Sequence, residues 1–358
     1  MKIIVFDVPA STGGALSILK DFYREIVQND DQDIKWIFVL SEPSLKETEN
    51  IKVLRFPWIK KSWFHRLFFD QFIAPELVKK FQPDKIFSLQ NMIIPKVKVE
   101  QIVYVHQSLP FSDYRFNFSE NRILWIKQNI LSRLILKSIR KSQKVIVQSN
   151  WIKKACIEKA NVQESKMVVI PPKVPLHIEN YFEENGQNLS TFFYPAGADY
   201  YKNHRLIVAA CEQLSRNDDY RFNVNFTLRG DENEHIKALY ERVQELKLPI
   251  KFIGAIEREK VFEYYAKSIL IFPSYVETFG LPLLESKLHK GIIFASDTLF
   301  AHEILDGYPN AYYFNCFNSE ELKNLMQKLL DGDISYSSKF DYTNRKEKLL
   351  IENLIYSN

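Results

Sequence analysis

The chain has 358 residues, of which 46% are hydrophobic and 14% aromatic, so it is long enough for about two domains and can bury a core. Its ten glycines are about 3% of the residues against a usual 7%, which excludes collagen-like and glycine-rich low-complexity proteins. The net charge of +4 hides an asymmetry: residues 1–172 hold 27 Lys and Arg against 17 Asp and Glu, and residues 173–358 hold 21 against 27.

In the first half, short apolar runs alternate with segments of helical periodicity, which predicts strands alternating with helices. Strands are predicted at 2–8, 36–40, 52–56, 84–89, 102–105, 144–148 and 167–170. Helices are predicted at 15–22, 76–81, 122–141 and 151–159. Gly13 and Gly14 follow the first strand, where a glycine turn would let the backbone approach a ligand closely.

Pro171 and Pro172, followed by the polar run 179–190, predict a linker, after which the alternation restarts. Strands are predicted at 191–194, 223–229, 250–253, 269–272 and 292–295. Helices are predicted at 203–214, 234–245, 258–266, 282–288, 320–330 and 345–356. Two such series predict two doubly wound α/β domains, 1–172 and 173–340, with a cleft between them and a helix in 341–358 that packs back towards the first.

The segment 272–285, FPSYVETFGLPLLE, joins a predicted buried strand to a helix through a loop that carries Glu277 and Gly280. Pro282 suits the first turn of that helix, and the backbone N–H groups at a helix start form a natural site for a phosphate. Glu285 lies on the same helix, so both carboxylates can face one ligand. The alternative is an ordinary turn with two surface glutamates.

The segment resembles the E-x7-E signature of the family-four retaining glycosyltransferases, which have the GT-B fold of two Rossmann-like domains. The resemblance continues at Gly254 and Gly291 in the second half, and at Gly13-Gly14, VIVQSNW (145–151) and VIPP (169–172) in the first. It implies an α/β fold of the GT-B type with both domains facing a central cleft. The first domain would bind the acceptor, and the second would bind most of a nucleotide sugar.

The resemblance also implies roles for individual residues. Glu277 and His106 would be catalytic, because both would contact the sugar or acceptor near the reacting centre. Glu285 would bind the ribose hydroxyls, the amides around Gly280 would bind the diphosphate, and Gly254 would let the backbone approach the base. The residues implied to bind the donor are Gly13, Gly14, Lys202, Gly254, Phe279, Gly280, Leu281 and Glu285.

Lys202 follows the loop after the predicted strand 191–194. A cation there would neutralise the leaving diphosphate, where negative charge develops, although a solvated lysine before a helix is the alternative. The family often pairs this lysine with an arginine directly after the glycine of the loop, but here Ala198 follows Gly197. Arg205 and Arg229 are the candidates to replace the missing cation.

The reaction implied is the metal-independent, retaining transfer of a hexosyl group from a UDP- or GDP-sugar to a saccharide or lipid-linked saccharide, in the synthesis of surface polysaccharide or glycolipid. No cofactor is expected beyond this donor substrate. Two D-x-D sequences, 31–33 and 331–333, match a metal motif in form but are interpreted as turns. A non-catalytic carbohydrate-binding relative and a GT-B sugar-nucleotide epimerase remain alternatives.

Two stretches suggest peripheral contact with an anionic membrane. Residues 58–69, WIKKSWFHRLFF, mix aromatic and basic side chains, and residues 122–144 hold seven basic residues and no acidic one. A solvated basic face is the alternative, and nucleic acid is not expected because no recognised binding motif accompanies the charge. The sequence predicts a cytoplasmic protein, because its three cysteines are scattered, its N-terminal apolar run is short and it has no long apolar stretch. If it contacts a membrane, we expect it at the inner face.

Overall fold

The computed structural model describes residues 1–11, 13–29, 31–174, 178–217, 219–340 and 349–355. The described residues form two compact units. The first runs from Met1 to Lys173 and includes the last described helix, and the second begins at Val174 and extends through residue 340. Each unit is built on one parallel sheet, which confirms the predicted pair of Rossmann-like α/β domains.

The first unit contains seven strands and, up to residue 160, six α-helices among its described residues. The strands are β1 (Lys2–Asp7), β2 (Lys35–Leu40), β3 (Ile51–Arg55), β4 (Lys85–Ser88), β5 (Glu100–Val105), β6 (Lys144–Val147) and β7 (Met167–Val169). The helices are α1 (Gly13–Asn29), α2 (Trp63–Phe68), α3 (Ala74–Phe81), α4 (Arg122–Ile126), α5 (Ser132–Lys141) and α6 (Asn150–Ala160). All strands are parallel, in the order β3-β2-β1-β4-β5-β6-β7.

Two helical stretches of this unit contain π-helical turns. Phe69–Ile73 connects α2 to α3, and Lys127–Leu131 connects α4 to α5. The helix predicted at 76–81 is therefore the end of a longer stretch, and the one predicted at 122–141 consists of three consecutive pieces. Both stretches leave large apolar side chains exposed, among them Phe64 (82% exposed) and Ile123 (66% exposed).

The second unit contains six strands among its described residues, β8 (Thr191–Tyr194), β9 (Asn223–Phe226), β10 (Ile250–Phe252), β11 (Ile269–Phe272), β12 (Ile293–Ser296) and β13 (Ala311–Phe314). Its helices are α7 (Gly186–Leu189), α8 (His204–Leu214), α9 (Glu234–Glu245), α10 (Arg258–Tyr265), α11 (Leu281–Leu288), α12 (Leu299–Leu305) and α13 (Ser319–Leu330). The sheet is parallel in the order β10-β9-β8-β11-β12-β13.

The segment predicted as a linker, 179–190, is packed into the second unit. Phe182 is buried, and its backbone N–H donates to the carbonyl of His289 at 2.7 Å. Asn188 is also buried, and its side-chain amide donates to the carbonyl of Glu183. The change of unit falls directly after Pro171 and Pro172, as predicted for a linker, but the polar run 179–190 is part of the second unit, because Phe182 is buried in it and hydrogen-bonded to His289.

Both sheets reverse their strand order next to their first strand, between β1 and β4 in the first unit and between β8 and β11 in the second. Loops that leave the carboxyl ends of such strands diverge to opposite faces and leave a crevice, where α/β proteins bind ligands. The predicted site residues His106 and Glu277 follow β5 and β11, respectively, and therefore each lies at the carboxyl edge of its own sheet.

The predicted closing helix 345–356 lies partly outside the described residues, and its described part is α14 (Leu350–Ile355). Leu350, Ile351 and Leu354 are buried in the core of the first unit, in the same cluster as Leu19 and Phe22 of α1. The carbonyl of Leu354 accepts from the Lys85 side chain at 2.9 Å, so α14 is fastened to the sheet as well. Within the described part of the chain, no helix is both long enough and apolar enough to cross a membrane.

Candidate functional site

In the second unit, the loop after β11 turns into α11 through Gly280, whose φ of 90° lies in the left-handed region that favours glycine. A Cβ at this position would also lie 3.3 Å from the side chain of Leu283. The backbone N–H groups of Gly280 and Leu281 make no hydrogen bond within the helix, because they lie at its start. Pro282 has no N–H group, and the N–H of Leu283 donates to the Gly280 carbonyl. The anion site predicted at this helix start would therefore use the N–H groups of Gly280 and Leu281, beside the partly exposed Phe279.

Glu277 and Lys202 are brought together at the switch point of the second sheet. The Oε1 of Glu277 lies 2.5 Å from the Nζ of Lys202, and the two side chains are 14% and 19% exposed. They are 75 residues apart in sequence but follow β11 and β8, which are neighbouring strands. A cation and a carboxylate thus stand side by side near the helix start that suits a phosphate.

The turn that carries Lys202 is held in place by buried hydrogen bonds. The hydroxyl of Tyr194 donates to the carbonyl of Lys202 at 2.7 Å. Asn203, which is buried and has a φ of 62°, donates from its side-chain amide to the carbonyls of Cys316 (2.7 Å) and Pro273 (3.3 Å). Asn203 thereby ties the Lys202 turn to the end of β11, where the loop with Glu277 begins.

Glu285 is buried on α11 and is held by two residues of α10. Its Oε1 accepts from Arg258 at 2.8 Å, and its Oε2 accepts from the Tyr265 hydroxyl at 3.0 Å. Burial raises the pKa of Glu285, while the Arg258 guanidinium and the Tyr265 hydroxyl act in the opposite direction. The sequence predicts α10 but not these two partners, because their choice depends on how α10 packs against α11.

The two arginines considered as substitutes for the missing cation have different surroundings. Arg205 lies over the ring of Tyr200, 4.6 Å from its centroid, and also donates to the Tyr200 hydroxyl. Arg229 is 71% exposed, and its Nε lies 3.1 Å from Asp231. A Cβ on Gly254, whose φ is 74°, would lie 3.5 Å from the Arg229 side chain. Arg229 is therefore the more accessible of the two, beside the glycine expected to face the base.

In the first unit, His106 follows β5 and is fixed by the loop after β4. Its backbone N–H donates to the Asn91 side chain at 2.7 Å, and its Nε2 lies 2.9 Å from the carbonyl of Leu89. The side-chain amide nitrogen of Asn91 lies 3.1 Å from the same Nε2, so this ring nitrogen faces both a hydrogen-bond acceptor and a donor. Burial lowers the pKa of His106 to about 4, so the ring is neutral at neutral pH. Asn91, with a φ of 66°, is a positioning residue that the sequence did not reveal.

Gly13 and Gly14 begin α1, after β1. Gly13 has a φ of 61°, and no atom of the described residues lies within 4 Å of where a Cβ would stand on either glycine. Asp7, at the end of β1, is buried, and its Oδ1 has no hydrogen-bond partner in the described structure. Burial raises the pKa of Asp7 to about 7 despite the opposing effect of Arg66, so this strand end carries a carboxyl that titrates near neutrality.

The first unit also contains a groove of about 940 Å³. His106 and Asn91 are among the residues that line it, and α2 and α5 form parts of its walls. Arg66 and Asp70 on one wall form an ion pair, with Nε 2.7 Å from Oδ2. The sequence predicted ligand contacts at His106 but no groove, since a gap between helices is a product of packing.

Two doubly wound units on parallel sheets, with a cation–carboxylate pair at the switch point of the second, are the architecture of one class of protein: the glycosyltransferases with the GT-B fold. The sequence agrees. Residues 13–177 match the family model described as Glycosyltransferase Family 4, and residues 178–347 match the model described as Glycosyl transferases group 1. The chain therefore belongs to the family-four glycosyltransferases of the GT-B type.

Individual proteins resemble the chain to different degrees. The O-antigen chain mannosyltransferase RfbU of Salmonella typhimurium strain LT2 is 25% identical over 294 residues, which cover 78% of this chain and 76% of that protein. Sucrose-phosphate synthase from Thermosynechococcus elongatus has a TM-score of 0.69 at 14% identity and covers 92% of this chain and 90% of its own. HepE from Anabaena, in complex with UDP and glucose, has a TM-score of 0.64 at 16% identity, with coverages of 93% and 91%. At these identities, the two structures show a shared fold.

Proposed function

We propose that the protein transfers a hexosyl group from a nucleotide sugar to a hydroxyl of a saccharide or lipid-linked saccharide, with retention of the anomeric configuration. The ion pair between Glu277 and Lys202 carries the proposal. Lys202 would neutralise the leaving diphosphate, and Glu277 would orient Lys202 and contact the donor sugar. The departing phosphate would take the proton of the attacking hydroxyl, so no carboxylate nucleophile and no metal ion is needed.

The donor we propose is a UDP- or GDP-sugar. Its ribose hydroxyls would donate to Glu285, which is already oriented by Arg258 and Tyr265. Its diphosphate would bind the N–H groups of Gly280 and Leu281 and the Lys202 ammonium. A mannosyl donor is the first to test, because the similar Salmonella protein is described as an O-antigen chain mannosyltransferase. The same similarity supports the proposal that the product belongs to surface polysaccharide synthesis.

We also propose that the first unit meets an anionic membrane, at its cytoplasmic face. Phe64 and Phe68 on α2 and Ile123 and Ile126 on α4 are exposed, with basic residues in the same stretches. Apolar side chains beside cations are suited to the headgroup region of a bilayer. A lipid-linked acceptor would be presented at such a surface.

The substitution Glu277→Gln tests the catalytic proposal. It removes the charge that faces Lys202, and we expect turnover to fall about 10²–10³-fold at unchanged thermal stability. Glu263→Gln is the matched control, because Glu263 pairs with Lys260 on the surface of α10 and should have no effect. The measurement is release of UDP or GDP with a panel of sugar donors, combined with the anomeric configuration of the product by NMR.

Three outcomes would contradict the proposal in different ways. An inverted product would refute retention while leaving glycosyl transfer intact. Conversion of the donor into its epimer without an acceptor would favour a sugar-nucleotide epimerase. Saccharide binding without nucleotide binding would favour a non-catalytic carbohydrate-binding protein.

A further inference from the structure

The groove of the first unit has two chemically different halves. Its near half, at the carboxyl edge of the sheet, is lined by His106, Asn91 and Gln90, together with Trp63 and the Arg66–Asp70 pair of α2 and the turn after it. Trp63 is 59% exposed. Amides, a histidine and an accessible indole are groups that bind saccharides, by hydrogen bonds to hydroxyls and by contact with the apolar faces of the rings.

The far half is strongly basic. Lys96 and Lys98, in the loop before β5, and Lys137 and Lys141, on α5, line it, and all four are exposed. None of the four lies within ion-pair distance of a carboxylate in the described part of the chain. Asp70 is the sole carboxylate of the groove lining within that part, and Arg66 already neutralises it. The far half therefore presents positive charge without a protein counter-charge.

The order of the two halves follows from the topology. Gln143, just after α5, donates through its backbone N–H to the carbonyl of Gln101 at 2.9 Å, so the end of α5 lies beside the start of β5. His106 comes five residues after Gln101, and at about 3.3 Å per residue the groove is roughly 17 Å long between these points. Lys141, the last residue of α5, is thus separated from His106 by about the length of β5, and Lys137 lies about one helical turn nearer.

We propose that the groove binds a lipid-linked acceptor by its diphosphate. The lysines of the far half would hold the diphosphate, the saccharide would lie along the near half towards His106, and the lipid would leave the groove at its far end. This assignment rests on the proposed function, because it names the acceptor of that reaction. It implies that the enzyme selects acceptors by the distance between the diphosphate and the reacting hydroxyl.

The test compares Lys137→Glu with Arg133→Glu. Both reverse one exposed charge on α5, four residues apart, but only Lys137 lines the groove. Binding of citronellyl diphosphate, a short water-soluble lipid diphosphate, is measured by calorimetry with saturating UDP present to occupy the donor site. We expect Lys137→Glu to weaken binding roughly tenfold to a hundredfold and Arg133→Glu to change it less than twofold.

A second measurement uses two acceptors with the same saccharide, one on citronellyl diphosphate and one on a neutral octyl chain. Lys137→Glu should lower kcat/KM for the diphosphate acceptor alone. Equal effects of both substitutions on citronellyl diphosphate binding, or an equal loss of kcat/KM with both acceptors, would overturn the groove assignment. Groove binding as expected, but without sugar transfer to any acceptor, would contradict the proposed function and leave the diphosphate site standing.

Discussion

At the scale of single residues, His106 shows how a neighbour sets the chemistry of a side chain. The Leu89 carbonyl and the Asn91 amide nitrogen both contact Nε2, at 2.9 and 3.1 Å, and the Asn91 side-chain oxygen holds the backbone of His106 at the end of β5. A residue that the family pattern implies to be catalytic therefore depends on Asn91, for which the sequence pattern gave no signal.

We predict that His106 stays neutral throughout the range pH 5–8. Its pKa is lowered to about 4 because burial disfavours the charged imidazolium, so protonation occurs only as the pH falls through that value. The ring nitrogen chemical shifts of His106, measured by NMR, should be constant from pH 8 to pH 5. A midpoint near 6.5, the ordinary value for histidine, would contradict the buried, neutral state.

At the scale of elements, the pairing of α10 with α11 determines the state of Glu285. Arg258 and Tyr265 both come from α10 and hold the two carboxylate oxygens, so the ribose hydroxyls would meet an oriented acceptor group. Burial of the Glu285 carboxylate nevertheless raises its pKa, so Glu285 takes up a proton at a higher pH than a solvated glutamate does.

This pairing predicts a pH dependence of nucleotide binding. As the pH falls, Glu285 becomes protonated at a higher pH than an ordinary glutamate and can no longer accept both hydroxyl hydrogens, so the Kd for UDP or GDP should rise. Glu285→Gln should bind more weakly at pH 7 and lose this pH dependence, whereas Glu259→Gln, an exposed substitution on α10, should behave like the parent. Calorimetry between pH 5 and 8 measures both, and an identical pH dependence in Glu285→Gln would exclude Glu285 as its source.

The same scale shows what the sequence could predict. Glu277 and Lys202 could be placed together because each follows a predicted strand, and the ends of parallel strands share an edge. By contrast, β13 was missed because only Phe314 of its four residues is buried, so it lacks the apolar run of an inner strand. Likewise, α12 was missed because its first turn holds neither a proline nor an acidic residue that would mark a helix start.

At the scale of the whole molecule, the chain leaves its first unit at Lys173 and returns to it with α14. Both apolar contacts and hydrogen bonds hold α14 in the first unit. The N–H of Ile351 donates to the buried carboxylate of Glu25 on α1 at 3.1 Å, and Lys85 donates to the Leu354 carbonyl. The last helix is therefore part of the core of the first unit, although the second unit lies between them in sequence.

The substitution Leu354→Ala should destabilise the first unit. Leu354 is fully buried in the cluster that includes α1, and removing such a side chain typically costs about 2–5 kcal/mol. Hydrogen exchange followed by mass spectrometry should show lost protection in peptides from α1, β1 and β2. Leu322→Ala, at an equally buried leucine of α13, is the reciprocal control and should expose amides of the second unit.

The pattern of exchange decides whether the two cores are energetically separate. Each unit has its own sheet and its own buried side chains, so protection should fall in the unit that carries the substitution and persist in the other. Equal loss of protection in both units after Leu354→Ala would mean that they unfold as one cooperative body. In that case α14 would stabilise the second unit too, and weaker binding of the proposed donor nucleotide by Leu354→Ala at elevated temperature would be the functional sign of it.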